Sequence, residues 1–189
     1  MQNIKFIATG ISPLLMHSDR FANPLDPATK AHKELTSKRK KTDADHEDIA
    51  KSEWMGSLYF EESIGIYIPG QNIDAALIEA AKMRRLGKHI KRAAMVLEDM
   101  VQLKYDGARD PHELFNDPRF VDVRGVKVSM AKLMRCRPRF NKWSIEFSVM
   151  LDEELMNPDE LKAIAADAGR MVGLCDYRPR FGKFSVEVV

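Results

Sequence analysis

Cysteine is scarce in this sequence of 189 residues, and long apolar runs are missing from it. Its two cysteines, Cys136 and Cys175, form neither a CxxC pair nor a cluster of metal ligands. So few cysteines argue against a disulfide-rich secreted scaffold and favour a reducing compartment. The N-terminus lacks a signal-peptide pattern, and no stretch approaches the roughly 18 apolar residues of a membrane-spanning helix. We therefore expect a cytoplasmic protein.

Catalytic and metal-binding signatures are equally sparse. The sequence has no GxxxxGK[ST], HExxH or GxSxG motif, which removes the commonest signatures of nucleotide-binding loops, zinc proteases and serine hydrolases. The carboxylates between Asp43 and Asp48 do not follow the spacing of a calcium loop. We therefore predict no metal, no cofactor and no enzymatic activity.

Charge is balanced overall but unevenly distributed along the chain. The formal net charge is only +2. Basic residues nevertheless concentrate in Lys38–Lys41, Lys82–Arg92, Lys127–Lys142 and Arg178–Lys183. Local basic patches on a nearly neutral chain favour a defined electrostatic track for a polyanion such as nucleic acid.

Hydrophobic periodicity predicts an α+β protein. Alternating apolar residues indicate strands at about 4–8, 64–68, 93–104, 143–151 and 184–188. A first helix is predicted from an N-cap at Asn72 to about Leu86, with Gly87 as its terminator. A second begins at Asn157-Pro158 and ends at Gly173. The resulting order β-α-β-β-α-β predicts a ferredoxin-like antiparallel sheet with two helices on one face.

Two large insertions are expected within this single domain of residues 1–189. The first, at about 18–60, is charged, and its part Ala28–Ala50 reads either as a mobile helical insertion or as a disordered arm. The second, at about 104–140, contains a broken alternation from Val121 to Met134 that includes Met130. We predict a hairpin there, with its turn at Arg124-Gly125.

Three segments together resemble the RAMP superfamily, whose ferredoxin-like members build CRISPR ribonucleoprotein complexes. They are Gly10-Ile-Ser-Pro-Leu-Leu-Met-His, Tyr67-Ile-Pro-Gly-Gln-Asn-Ile-Asp-Ala-Ala-Leu and Gly173-Leu-Cys-Asp-Tyr-Arg-Pro-Arg-Phe-Gly-Lys-Phe. The resemblance points to the backbone subunits that polymerise along guide RNA, and it implies head-to-tail assembly on a strand. The sequence departs from the family at Cys175 and Phe181, where glycine is common, and at Asp74, where a basic residue is common. A phage-encoded homologue would act in the cytoplasm of its bacterial host.

These observations together predict a sequence-tolerant protein that binds the backbone of single-stranded RNA or DNA. Arginine forks match phosphate oxygens, and aromatic rings stack on unpaired bases. The glycines Gly173 and Gly182 permit unusual backbone dihedrals in the C-terminal loop. The predicted nucleic-acid-binding residues are Lys38, Arg39, Lys40, Lys41, Arg84, Arg85, Lys88, Lys132, Arg135, Arg137, Arg139, Tyr177, Arg178, Arg180 and Lys183.

Two alternatives stay open at this point. The chain could be a protein-interaction module, such as a phage inhibitor or mimic of a CRISPR subunit, with its acidic segments as the working surface. It could also be a metal-independent ribonuclease of the RAMP type, in which His17, directly after the first strand, would be the general base.

Overall fold

The protein is a mixed α+β structure, described here by a computed structural model for residues 1–128 and 131–189. It divides into two compact units. Unit 1 consists of Met1–Leu14, Phe60–Asp106 and Asn141–Val189, and unit 2 of Leu15–Tyr59 and Gly107–Phe140. Both segments of unit 2 overlap the positions predicted as insertions.

The strands and helices follow one another along the chain. The strands are β1 (Gln2–Gly10), β2 (Leu14–Leu15), β3 (Phe60–Glu61), β4 (Gly65–Pro69), β5 (Ala94–Val96), β6 (Met100–Lys104), β7 (Val121–Val128), β8 (Ala131–Phe140), β9 (Ser144–Leu151) and β10 (Phe184–Val188). The α-helices are α1 (Pro27–Ser37), α2 (Asp43–Ser57), α3 (Gly70–Met83), α4 (Gly87–Ala93), α5 (Pro111–Phe115) and α6 (Pro158–Asp167). Short 3-10 turns occupy Asp19–Ala22 and Pro118–Phe120, and a π-helical turn, Ala168–Val172, follows α6.

An antiparallel sheet organises unit 1. Its strand order is β10-β1-β9-β6-β4-β3, and β5 also pairs with β9. Phe6 of β1 lies opposite Val188 of β10 on one side and Phe147 of β9 on the other. Along the chain, α3 falls between β1 and β6, and α6 falls between β9 and β10. The predicted α+β class with an antiparallel sheet is therefore confirmed.

One face of this sheet forms the core of unit 1. Every second residue of β9 is buried, and on β1 Phe6 stacks on Phe147 with ring centroids 5.4 Å apart. Helix α3 buries Ile73 and Leu77, and α6 buries Leu161 and Ile164, as their apolar stripes predict. On the intervening positions of the strands, Glu146 is ion-paired with Lys5 and Lys104. Alternation along the strands thus separates an apolar face from a charged one.

Both predicted ends of α3 are wrong. The helix begins at Gly70, directly after Pro69 and without a side-chain cap, and the Gly70 N–H donates to the Asp99 carbonyl. It ends at Met83, because Arg85 adopts a left-handed φ of 64°. The Leu86 N–H then returns to the Ala81 carbonyl and the Arg85 N–H to the Lys82 carbonyl, which is the hydrogen-bond pattern of a Schellman cap. Gly87 therefore starts α4 instead of terminating α3.

The strand predicted over 93–104 is two strands, β5 and β6, with an interruption between them. At the break, both carboxylate oxygens of Glu98 accept from the Ser148 N–H at 2.9 and 3.1 Å. A side-chain carboxylate thus takes the place of a backbone carbonyl as the acceptor for Ser148. The apolar alternation of the sequence does not reveal such an interruption. The second predicted helix is confirmed: Asn157 caps α6 by accepting from the Asp159 N–H, and Gly173 ends the helical segment with a φ of 81°.

Unit 2 contains the helices α1 and α2 and the hairpin β7–β8. Trp54 of α2 is fully buried and donates its indole N–H to the Phe120 carbonyl at 2.9 Å. The segment Ala28–Ala50, for which a helical insertion and a disordered arm were both open, lies in these two helices and in the connection 38–42 between them. Within the described parts of the chain, no helix combines the length and apolarity needed to cross a membrane.

The hairpin is confirmed but its predicted turn is wrong. Arg124 lies opposite Arg135 and Gly125 opposite Met134, so both residues sit inside β7. The last pair of the ladder is Val128 with Ala131. Met130, which belonged to the predicted alternation, lies outside the described residues.

Asp74 gives a testable consequence of this fold for stability. Its carboxylate accepts from the Val96 N–H at 3.1 Å and so joins α3 to β5, and burial raises its pKa above 3.8. The folded chain therefore binds this proton more tightly than the unfolded chain, and the free energy of unfolding falls as pH rises from 3.8 through the raised pKa. We expect Asp74→Asn, which keeps an acceptor without a charge, to be more stable than wild type in urea unfolding at pH 7. This difference should disappear near pH 3.

Asp74→Ala serves as the control. It removes the acceptor, and we expect it to lower the free energy of unfolding by about 1 kcal/mol at pH 7. An Asn variant as unstable as the Ala variant at pH 7 would contradict this account of Asp74.

Candidate functional site

Residues Gly173–Lys183 of unit 1 form a loop that is closed by backbone hydrogen bonds; we call it the 173–183 loop. The Leu174 N–H donates to the Gly182 carbonyl at 2.9 Å, and the Gly182 N–H donates to the Pro13 carbonyl at 2.8 Å. The Lys183 N–H donates to the Ser12 hydroxyl at 2.9 Å. The loop is thus held at its base by the segment that follows β1.

Close backbone approach explains why Gly182 stands at this base. Its φ is 73°, and a Cβ atom placed on it would lie 2.0 Å from the Leu174 carbonyl oxygen. Gly173, with its φ of 81°, would bring a Cβ within 2.8 Å of the Phe181 carbonyl oxygen. The predicted role of both glycines, to permit unusual dihedrals, is confirmed.

Two residues of the loop that are not glycines also adopt left-handed backbone conformations. Cys175 has a φ of 59° and Tyr177 a φ of 57°. Such a conformation costs about 1–2 kcal/mol for each residue with a Cβ, and it persists only where the surroundings impose it. Strain of this kind, next to a π-helical turn, is concentrated at functional sites in proteins. The loop is therefore the strongest site candidate in unit 1.

A cavity of about 570 Å³ lies against the loop. Its apolar wall includes Met83 of α3, Met171 and Val172 of the π-helical turn, and Pro179. Its polar lining residues are Glu79, Asp176, Arg178 and the half-buried Cys175. The ring of Tyr177, 42% exposed, also lines the cavity and meets Phe181 edge-on at 5.8 Å. The volume lies within the range of small-molecule sites.

Cations from two distant parts of the chain act on one carboxylate of the cavity lining. The pKa of Glu79 is lowered chiefly by Lys82, whose ammonium lies 2.5 Å from its carboxylate, and further by the charges of Arg178 and Lys91. Arg178 of the 173–183 loop and Lys91 of α4 therefore both lie within electrostatic range of Glu79. We call the cations of the two segments that carry them the basic face. Its members are Arg85, Lys88, Lys91, Arg92, Arg178, Arg180 and Lys183.

The basic face is not neutralised by its own carboxylates. Within residues 1–128 and 131–189, no member lies within 4.0 Å of a carboxylate oxygen. All its members except Lys183, which is half-buried, have exposed side chains. Arg84 differs, because it lies 2.6 Å from Asp167, which Arg170 also contacts at 3.0 Å. Arg84, a predicted binding residue, thus links the end of α3 to the end of α6 through this ion pair.

In unit 2, most of the predicted binding residues of β8 are buried or form ion pairs within that unit. Arg135 lies 2.6 Å from the buried carboxylate of Glu53, which also accepts from the Cys136 N–H. Arg137 is only 7% exposed. Arg139 lies 3.8 Å from Asp122, which already holds a bidentate pair with Arg124. Lys132 alone among the predicted cations of β8 is exposed without a carboxylate partner in the described parts of the chain.

The predicted cations at 38–41 lie in the connection between α1 and α2. Lys38 lies 2.5 Å from Asp45, and Asp45 also completes a capping box with Thr42. Lys41 donates to the Lys38 carbonyl, while Arg39 and Lys40 are exposed. This short connection is thus fixed at Lys38, with its other cations at the surface.

His17, the predicted general base of the ribonuclease alternative, lies in unit 2. Its Nδ1 atom is 3.2 Å from the hydroxyl of the buried Ser57. Among the described residues, no group of three or more His, Cys, Asp or Glu side chains is arranged to hold a metal ion.

Sequence reasoning identified Tyr177, Arg178 and the loop glycines but missed the cavity. Glu79, Met83 and Met171 lie on helices, where their sequence context is that of ordinary exposed or core positions. The spacing of Glu79 and Met83, one helical turn apart, was the only available signal. No protein-family model matches the chain, and no curated protein is significantly similar to it.

We expect Gly182→Ala to damage the loop. The added methyl group meets a backbone oxygen at a positive φ, so the free energy of unfolding should fall by at least about 1–2 kcal/mol. Gly125→Ala is the matched control, because the nearest atoms to its added methyl group belong to flexible side chains, Lys132 at 3.2 Å and Met134 at 3.6 Å. Urea unfolding should show the control within about 0.5 kcal/mol of wild type. Equal effects of the two substitutions would mean that the loop base is not tightly packed.

The thiol of Cys175 should react slowly with alkylating agents. Burial raises its pKa to about 12, and the Asp176 charge adds to this effect. At pH 8 about one thiol in ten thousand is then the reactive thiolate. Iodoacetamide labelling followed by peptide mass spectrometry should modify Cys175 far more slowly in the folded chain than in the same chain in urea. Equal rates would contradict a Cys175 thiol whose pKa is raised by its surroundings in the folded chain.

Proposed function

We propose that this protein binds the sugar–phosphate backbone of single-stranded RNA or DNA through the basic face and the 173–183 loop. The observation that carries the proposal is that Arg178 of the loop and Lys91 of α4 act on the same carboxylate, and that the exposed cations of both segments have no carboxylate partners among the described residues. A surface of this kind attracts a polyanion, whereas cations already paired with carboxylates gain little from one. The predicted role of Arg178, Arg180 and Lys183 rests on this placement.

A single strand is favoured over a duplex by the position of Tyr177. Tyr177 is exposed and lines the same cavity as Arg178, so an unpaired base attached to a phosphate at Arg178 can reach its ring. Stacking of one base on an aromatic ring contributes about 1–3 kcal/mol and depends little on which base is stacked. A duplex keeps its bases inside and cannot use such a ring.

We further propose that unit 1 is ferredoxin-like and related to the RAMP superfamily. The strand order β10-β1-β9-β6, with a helix in each of the two crossovers, is compatible with the split β-α-β pattern. The three resembling segments also meet: Gly182 and Lys183 bond to Pro13 and Ser12, and the Asn72 amide lies 3.9 Å from the Cys175 sulfur. Head-to-tail assembly along the strand, as in the backbone subunits of that superfamily, belongs to the same proposal.

A binding role without catalysis is the form of this proposal that the geometry supports best. His17 contacts a hydroxyl and lies in unit 2, away from the residues of the basic face along the chain. The protein-interaction alternative would need the acidic segment Asp43–Glu53 as a working surface. Its Asp45 and Glu53 instead hold bonds within unit 2.

Charge reversal tests the proposal. Arg178→Glu combined with Arg180→Glu should weaken binding of a labelled poly-pyrimidine strand, measured by fluorescence anisotropy for DNA and for RNA. Each lost phosphate contact lowers the salt slope of log K by about 0.7 for a single strand, so the double substitution should lower it by at least about 1.4.

The matched control is Lys5→Glu combined with Lys162→Glu, which changes the net charge equally on exposed positions of unit 1 outside the basic face. It should leave most of the affinity and the salt slope intact. If the Arg178/Arg180 variant and the control behaved alike, the basic face would not be the binding surface. If the wild-type chain bound neither strand at low salt, the proposed function would be wrong.

A further inference from the structure

The cavity beside the 173–183 loop is not explained by backbone binding alone. A surface that binds only the strand backbone needs cations and stacking rings. The lining of this cavity instead combines acidic residues with apolar ones. Glu79 brings a carboxylate to this lining, and Lys82 pairs with it through one oxygen at 2.5 Å. The apolar part of the lining fits a part of the same ligand other than its phosphates.

The apolar wall suits a flat aromatic group. Met83 and Met171 offer polarizable thioethers, which make favourable contacts with aromatic rings and adapt to irregular shapes. Tyr177 offers a ring whose position is fixed by its edge-on contact with Phe181. Arg178 belongs both to the cavity lining and to the basic face, so a nucleotide whose phosphate lies at Arg178 has its base within reach of the cavity.

The polar lining restricts which base is bound best. An ionised carboxylate only accepts hydrogen bonds, and Glu79 stays ionised because Lys82 and its other cationic neighbours lower its pKa. Guanine presents two adjacent donors, the ring N1–H and the 2-amino group, on one edge. Adenine and cytosine present a single amino group there, and uracil places carbonyl oxygens on both sides of its one N–H.

We propose that the cavity lined by Glu79, Met83, Met171, Tyr177 and Arg178 is a base pocket that prefers guanine, with Glu79 accepting from the guanine edge. This inference rests on the proposed function and deepens it: the strand is held without regard to sequence by its phosphates, and one base per protein molecule is selected. Tyr177 contributes to binding of every base, and Glu79 contributes the preference.

Nucleoside monophosphates test the pocket directly. We would titrate the full chain, labelled with nitrogen-15, with GMP, IMP and UMP and follow backbone amide shifts by NMR, which measures weak binding. IMP differs from GMP only in lacking the 2-amino group. A hydrogen bond to a charged acceptor corresponds to about a tenfold difference in affinity, so GMP should bind about tenfold more tightly than IMP, and UMP should be weakest.

Two substitutions separate the roles of the pocket residues. Glu79→Gln should bring the affinities for GMP and IMP close together, whereas Glu153→Gln, at an exposed carboxylate elsewhere in unit 1, should leave the tenfold ratio unchanged. Tyr177→Ala should weaken GMP and UMP alike, by about tenfold, because every base has a face for stacking. The shifted amides should include those of the 173–183 loop.

The outcomes distinguish the pocket from the proposed function. A chain that binds single strands but holds GMP, IMP and UMP equally would overturn the pocket and leave the backbone-binding proposal standing. A GMP preference that survives Glu79→Gln would also overturn the pocket as assigned. Failure to bind any strand at low salt would overturn the proposed function, whichever monophosphates bind.

Discussion

The close approach of backbone at Gly182 is the constraint on which the candidate site depends. At this point the chain accepts a bond from Leu174 and donates one to Pro13, with no space for a Cβ atom. Because both ends of the loop are fixed there, the nine residues between Gly173 and Lys183 must reverse direction within a short span, and Cys175 and Tyr177 take left-handed conformations as a result. That geometry places Tyr177 and Arg178 at the cavity. The bond to Pro13 joins the last loop to the segment after β1, so the base of the loop depends on two segments that lie far apart in the chain.

The positions of the carboxylates determine which basic clusters are able to bind an external anion. In unit 2, Glu53 and Asp122 are buried, and an unpaired buried carboxylate would be strongly destabilising, so Arg135 and Arg124 are needed where they are. A ligand would have to compete with these pairs for the guanidinium groups. Near the basic face, Glu79 is ion-paired with Lys82, and within residues 1–128 and 131–189 no member of the basic face has a carboxylate partner of its own. Clusters that look equivalent in the sequence therefore differ in their capacity for an external anion.

Periodicity predicted the elements whose cause is local. The alternation of β9, the Asn157 cap of α6 and the terminating role of Gly173 each depend on a few neighbouring residues, and each was predictable. The errors arose where a distant group decided the outcome. Glu98 interrupts a continuous apolar alternation by bonding to Ser148, 50 positions away in the chain, and Arg85 takes the left-handed cap position that glycine usually holds. The cavity was unpredictable for the same reason, since its lining comes from α3, the π-helical turn and the loop, which only the tertiary structure brings together.

The proposed backbone contacts and the proposed base pocket would impose different requirements on one surface, and the magnitudes of such interactions explain how both could coexist. Phosphate contacts depend on salt and are the same for every sequence, so they would set most of the affinity. A single hydrogen-bonded base edge changes affinity by about tenfold, which is small beside the sum of the phosphate contacts but independent of their number. Such a pocket would not make the protein sequence-specific along a whole strand. It would favour positions along the strand that place a guanine in the pocket. For proteins that line up head to tail at a fixed spacing, the position of one molecule also fixes the positions of its neighbours.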